Sequence, residues 1–395
     1  MALINLRNAL MTGKRLPYDA EVEFLQSDGN AYINTGIAPA PNMDYSITFS
    51  AQNASTYYRI FGAWTASNKK RFGAIVNAQN ILYQQMTPHG EVLSNYTSPN
   101  VVTIEKRGLA CYVNGVYVNS FSSDIDAGEI TDNLLAFAIN TSGIAIAAAS
   151  GLRIYSFSLT LNGTLVRDYI PVRVGAVGYL YDRVSGKFAE RHGDFVLGPD
   201  VVPVEHLQSS GTQYIDTGVY GSDAVKATLD FQLISLGKAR GVFGTYTSTS
   251  RSLFVYQSGG GSDVWQVGFG HYGNTAKRTD TERHNIEFND FHVDIDGETI
   301  ATFSQIQFTT SHTMTIFTVR NESGGVYGST GSRCYGSKIW QSNIPVRSFR
   351  PVRVGTDATS WEGAMMDVLT RRIYRNAGTG AFTYGNDLKY PIPAE

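Results

Sequence analysis

The sequence predicts an all-β protein made of two tandem β-sandwiches, and three observations carry that prediction. The segment "EVEFLQSDGNAYINTG" from Glu21 returns as "PVEHLQSSGTQYIDTG" from Pro203, 182 positions further on. Segments such as "YSITFSA" (Tyr45 to Ala51) and "KATLDFQL" (Lys226 to Leu233) alternate apolar and polar residues. That is the period of a strand with one face on a core. The 395 residues include 40 glycines, 23 tyrosines and 20 phenylalanines, a composition of turns and strands rather than helices.

Taken in chain order, residues 1–17 stand apart. Leu3, Leu6 and Leu10 fall at helical spacing and have no counterpart in the second half, so a short helical attachment segment is expected there. Residues 18–200 form the first copy and 201–395 the second, meeting near "GPDVVP", a short stretch with two prolines. At the 182-residue spacing Phe61-Gly62 meets Phe243-Gly244, Phe72 meets Phe254, Tyr83 meets Trp265, and His89 meets His271. The spacing drifts to 180 where "RDYIPVRVG" meets "RSFRPVRVG", and to 187 where "HGDFVLG" meets "TGAFTYG". A period this long means each copy holds its own core. Asn114-Gly115 and Asp296-Gly297 supply the positive φ angles of tight hairpin turns, and Ser185-Gly186 marks a third hairpin.

Charge excludes some partners. Lys+Arg 32 against Asp+Glu 34 leaves a formal net charge of −2, no basis for nucleic-acid binding or for attraction to an anionic membrane. No apolar run is long enough for insertion into a bilayer, and the N-terminus reads as a poor secretory signal because Arg7 interrupts its apolar part. The two cysteines, Cys111 and Cys334, occupy unmatched repeat positions and read as buried thiols.

The order "FLQSDGNAYINTG", "IFG", the "VNG" hairpin, then "NGTLVRDYIPVRVG" resembles the concanavalin A-like, laminin-G-like jelly-roll domains of gut-bacterial phages and prophages. The second half resembles them through "HLQSSGTQYIDTG", "VFG" and "IDG". Together these cover nearly the whole chain after Leu16. The resemblance implies a two-sheet sandwich whose usual roles are sugar binding, calcium binding, adhesion or scaffolding; the fold alone does not choose among them.

Catalytic signals are sparse. "DIDGE" (Asp294, Asp296, Glu298) is the best place for the paired carboxylates of a glycosidase, but its first-half counterparts are Tyr112, Asn114 and Val116, and Asp296-Gly297 is itself a turn. No catalytic residue is therefore assigned. The acidic loop "SSDIDAGEITDN" offers Asp124, Asp126 and Glu129 as calcium ligands in the first domain alone; the other reading is a solvated loop. No other cofactor is expected. Aromatic rings are the remaining route to a sugar, whose C–H face stacks on a flat ring. Trp64, Tyr83, His89, Tyr246, Trp265 and His271 are the candidate ligand-binding residues, against the alternative that these rings pack in the core.

The function expected from this reading is a non-enzymatic phage virion component, a fibre, decoration or tail-associated protein. It would assemble in the host bacterial cytoplasm, contact other virion proteins, associate with copies of itself and bind cell-surface carbohydrate. The alternatives are an exported carbohydrate-binding adhesin of a gut bacterium and, last, a glycoside hydrolase.

Overall fold

A computed structural model describes residues 16–388 apart from 54–55, 66–69, 238, 260–262, 328–330 and 357–358, with the side chains of residues 274 and 276 also left aside. Leu3, Leu6, Leu10 and the expected helix lie outside the described residues. Among those residues every regular element is a strand; none is a helix. The chain divides into two compact units, Met1–Asp200 with Thr370–Arg372, and Val201–Leu369 with Ile373–Glu395.

In unit 1, the strands Val116–Ser120, Ala110–Val113, Val102–Arg107, Met43–Ala51, Leu152–Leu161, Thr164–Val174 and Val177–Asp182 pair antiparallel in that order. A second sheet runs Glu190–His192, Tyr32–Asn34, Leu135–Ala136, Tyr58–Trp64, Arg71–Val76, Ile81–Thr87 and Glu91–Asn95. The core between them takes the inward residues of both sheets, among them Ile47, Phe49, Ile104 and Phe157 from the first and Phe61, Phe72, Leu82 and Met86 from the second. This is the sandwich arrangement that alternating strands predict.

Unit 2 repeats the plan. Its first sheet runs Glu298–Thr302, His292–Ile295, Arg283–Asn289, Val225–Leu233, Ser332–Gln341, Ile344–Gly355 and Trp361–Asp367. Its second runs Ile215–Ser222, Thr309–Ile316, Arg240–Ser248, Arg251–Gln257, Val264–Phe269 and His271–Arg278. Leu229, Phe231, Ile286 and Phe288 meet Phe243, Leu253, Trp265 and Phe269 between the sheets.

The phrase written twice in the sequence does the same structural job in each unit. Gln26 accepts a hydrogen bond from Arg153 at 2.7 Å, as Gln208 does from Arg333 at 2.9 Å. The Ser27 and Ser209 hydroxyls accept from the amides of Gly29 and Gly211. Thr35 and Thr217 donate to the carbonyls of Leu134 and Met314, both at 2.8 Å. Asn34 and Asp216 accept from the Gly36 and Gly218 amides, at glycines that both have φ of 69°, a left-handed conformation that costs other residues strain. Arg167 and Arg347, from the later "VRDYIPVR" and "VRSFRPVR" segments, then donate to the carbonyls of Thr35 and Thr217. These matched polar residues close backbone turns or tie one segment to another, so their role in the phrase is architectural.

The later spacing of 187 also has a physical meaning. Phe137 and Phe317 are fully buried residues with φ of 62° and 76°. Their rings rest on Phe195 at 4.7 Å and Phe382 at 4.9 Å, the phenylalanines of "HGDFVLG" and "TGAFTYG". Burial of a large ring offsets the roughly 1–2 kcal/mol of left-handed backbone. The Asn114-Gly115 and Asp296-Gly297 turns have positive φ at both positions, as their hairpins require.

Candidate functional site

The second sheet of each unit has a face turned away from its core, and that face differs most between the units. Its geometry follows from strand register. In unit 1 the core-facing cross-strand pairs are Phe72–Met86, Ala74–Gln84 and Val76–Leu82. In unit 2 they are Leu253–Phe269, Val255–Val267 and Gln257–Trp265. Leu82, not Tyr83, therefore corresponds to Trp265, and Phe72 corresponds to Leu253 rather than Phe254. The loop joining these strands spans 77–80 in unit 1 and 258–263 in unit 2, two residues longer, while the next turn spans 88–90 against residue 270 alone, two shorter. The preceding hairpin is one residue shorter in unit 2, pairing Gly244 with Phe254 where Gly62 pairs with Gly73, so the spacing runs 181, 183 and 181 on the three strands that follow. Each is one off 182, and an odd slip turns each side chain to the opposite face.

The predicted ring residues separate accordingly. Trp265 is 1% exposed and sits in the unit 2 core, with its edge toward His284, so its faces are closed to a ligand. That corrects its assignment as a binding residue. Tyr83 is half-buried on the outer face, its hydroxyl accepting from Asn77 at 3.3 Å. Trp64 and Tyr246 do correspond: Trp64 pairs with Arg71, and Tyr246 with Ser252. His89 is not placed like His271. The His89 ring is held by Ser123 at 2.7 Å and Glu129 at 3.1 Å, whereas His271 opens a strand opposite Phe269.

On unit 1 the outer face sets a charged pair over the Trp64 ring, with Tyr83 paired beside the exposed Leu93. The Arg71 guanidinium lies 4.7 Å from the centre of the Trp64 ring and 3.5 Å from Glu91, which also accepts from Gln85 at 2.7 Å. On unit 2 the matching strands carry Tyr246, Phe254, Tyr256, Gln266 and Tyr272, joined by Val319 and Tyr327. These seven residues line a cleft of about 170 Å3. Gln85 faces Gly73 across the strands of unit 1, while Gly268 faces Phe254 in unit 2. The space that Gln85 fills in one unit is left for a phenylalanine in the other. A Cβ on Gly268 would come within 2.5 Å of the Phe254 ring, so glycine is required for that ring to lie flat in the sheet.

Phe254 is 3% exposed and forms the floor, with Tyr246 edge-on at 5.8 Å and Tyr272 at 5.7 Å. Tyr272 and Tyr327 stand 41% and 48% exposed at the rim. Burial, then the neighbouring Tyr327 and Tyr272, pushes the Tyr256 hydroxyl above its ordinary pKa; burial, then Tyr246, does the same for Tyr272. These phenols stay neutral. Sequence reasoning found Tyr246 but missed Phe254, Tyr256, Tyr272 and Tyr327. The one local signal was the alternation of Phe254 and Tyr256 on a single strand.

The acidic loop is engaged with the protein itself. Asp124 accepts from the Asn42 amide at 2.8 Å and lies 3.7 Å from the buried Lys106 ammonium. Glu129 is bound by Lys70 and His89, both at 3.1 Å, and by the Asp126 amide at 2.8 Å. Although burial alone would raise its pKa, the Asp126 amide, His89 and Lys70 hold it below the ordinary glutamate value. A calcium ion would have to displace these cations. Among the described residues no group of three or more acids, histidines or cysteines could hold a metal. Two of the "DIDGE" acids are likewise partnered: Asp296 accepts from His284 at 2.7 Å and the Asn285 amide at 2.8 Å, and Glu298 pairs with Lys277, while one buried carboxylate oxygen of Asp294 has no hydrogen-bond partner. Cys111 is buried and its thiol pKa is pushed up to about 12 by that burial, so it is an inert packing residue.

No family model matches the sequence, and no curated protein matches it. Among solved structures, the chain is similar to the mouse laminin alpha1 chain, domains LG4-5, at 12% identity over 96% of this chain and 97% of that one, with a TM-score of 0.29. It is also similar to the LG1-3 region of the laminin alpha2 chain, at 11% identity over 89% of this chain and 66% of that one, TM-score 0.29. A third, solved as NanB plus Optactamide, has 10% identity over 91% and 74%, TM-score 0.24. Likenesses at this level decide nothing here; the sandwiches rest on their own strand pairing and cores.

Proposed function

We propose that this chain is a non-enzymatic carbohydrate-binding adhesion protein, with the sugar site in the aromatic cleft of unit 2 and unit 1 serving as its carrier. One observation carries the proposal: four tyrosines and a phenylalanine from adjoining strands line one cleft on a sheet face turned away from the core. Flat rings with polar rims match a sugar, which offers an apolar C–H face and a ring of hydroxyls. The partnering of Asp296 and Glu298 with His284 and Lys277 supports a passive role over hydrolysis.

The sequence resemblance supports a place in a phage particle, where the two tandem jelly rolls would contact other virion proteins and further copies of the chain. Multiple copies would raise the avidity of single weak sites. A glycan array probed with the full chain tests the binding role. Binding to a defined set of glycans, lost on Tyr272→Ala with Tyr327→Ala, is the expected result; a flat array with folded protein sinks it. Mass spectrometry of purified particles tests the virion assignment, and detection only in uninfected cells contradicts it.

A further inference from the structure

We infer that the unit 2 cleft takes a single uncharged pyranose ring, held by stacking and neutral hydrogen bonds without a metal ion. The inference rests on the carbohydrate-binding reading above and narrows it to a ligand class.

Size comes first. A volume of about 170 Å3 is well below the roughly 300–1,000 Å3 of sites for drug-sized ligands, so the cleft suits one ring with the rest of a glycan outside. Charge comes next. No lining residue is ionised: four tyrosines, a phenylalanine, a valine and Gln266. Arg320, next to Val319 in the chain, is neutralised by Asp216 at 2.9 Å. A carboxylate or sulfate pressed against these rings would lose its water and find no cation, which disfavours sialic acid, uronic acids and sulfated sugars.

Hydrogen bonding completes the match. The cleft surface is almost wholly apolar, so stacking carries the contact; among the described residues, the Tyr256 and Tyr327 hydroxyls and the Gln266 amide make no hydrogen bond within the protein and are the polar groups of the lining residues left for sugar hydroxyls at the edge. The corresponding face of unit 1 offers a different chemistry. There Arg71 pairs with Glu91, which also accepts from the Gln85 amide, and the guanidinium lies over the Trp64 ring, while Gln85 Oε1 and Trp64 Nε1 are buried without a hydrogen-bond partner.

The test is a titration of the full chain with methyl hexopyranosides, followed by nuclear magnetic resonance, beside an array of neutral, sialylated, uronate-bearing and sulfated glycans, each with and without excess EDTA. Neutral sugars should bind and shift the cleft tyrosines, with no change on chelation or on raising salt. Tyr272→Ala should weaken binding about tenfold, the upper end of what one aromatic contact contributes, while Tyr272→Phe keeps most of it. These rim residues are exposed, so folding should survive, and circular dichroism of each variant checks that. Binding confined to acidic glycans, or abolished by EDTA, overturns the ligand class while leaving a glycan-binding protein. No glycan bound by the folded chain overturns the function itself. Concentration-dependent self-association abolished by Tyr272→Ala would assign the patch to contact between copies and likewise overturn the inference.

Discussion

The outer faces of the two second sheets occupy matching strands and do different chemistry. In unit 1 a guanidinium covers Trp64 and pairs with Glu91, which Gln85 also binds. In unit 2 the same lattice of strand positions holds Tyr246, Phe254, Tyr256 and Tyr272 around an open cleft. The swap of Gly73 opposite Gln85 for Phe254 opposite Gly268 exchanges bulk between neighbouring strands without changing the pairing of either sheet. The lesson is that the repeated sequence phrase builds both scaffolds, while the variable face between the phrases decides which of these two sheets carries the aromatic cleft.

The largest effect that would break this comparison lies in the register. Trp265→Ala should cost about 3–5 kcal/mol in urea unfolding, because it empties a large buried site. Tyr83→Ala, its partner at constant sequence spacing, should cost about 1 kcal/mol or less, since the ring lies half-exposed on the other face. Equal losses would restore the original equivalence and undo the assignment of faces. Next in size is Gly268→Ala. Its new methyl would meet Phe254 at 2.5 Å and the Ser252 hydroxyl at 2.6 Å, so overpacking of about 1–3 kcal/mol is expected together with weaker sugar binding. Unchanged binding with a displaced Phe254 would remove that ring from the site.

A pH dependence separates the units further. His284 takes the place of Val102: His284 pairs with Phe231 and Val102 with Phe49. Burial alone would lower its pKa, but the hydrogen bonds to Asp296 at 2.7 Å and Asp280 at 2.8 Å win and raise it above the ordinary histidine value. A raised folded-state pKa gives stability that is complete below the unfolded value of about 6.5 and is lost as pH rises through the folded one. Thermal unfolding of unit 2 should therefore weaken on going from acid to alkaline pH across that window, and His284→Val should flatten the slope. A slope unchanged by His284→Val contradicts the clamp. The smallest effect is Glu91→Ala, about 0–1 kcal/mol, because its partner Arg71 is a third exposed and solvent screens the pair. A much larger loss would mean the polar face of unit 1 is more than a capped surface.

How much of this was legible depends on what each residue acts through. Asn114-Gly115 and Asp296-Gly297 were legible as hairpins because a tight turn demands those residue types locally. The repeat was legible because Gln26, Ser27, Thr35 and Gly36 serve backbone geometry, which is the same in each unit. The facing of Tyr83 and Trp265 was not legible, since a hairpin one residue shorter, a loop two longer and a turn two shorter keep the spacing within one residue of 182, and only strand pairing exposes the slip. The partners of the acidic loop were not legible for a related reason: Lys70 and His89, which bind Glu129, are distant in sequence and adjacent only after folding. The cleft gathers Tyr246, Tyr272 and Tyr327 from three strands, a clustering that no local pattern spells out.

The most direct test of the central claim is a crystal structure of the full chain soaked or co-crystallised with a neutral glycan. The sugar ring should lie against Phe254, Tyr272 and Tyr327, with the Trp64 face of unit 1 unoccupied. A sugar bound at Trp64, or at the acidic loop of unit 1 through a metal ion, with the tyrosine cleft empty, would contradict the division of labour between the two units.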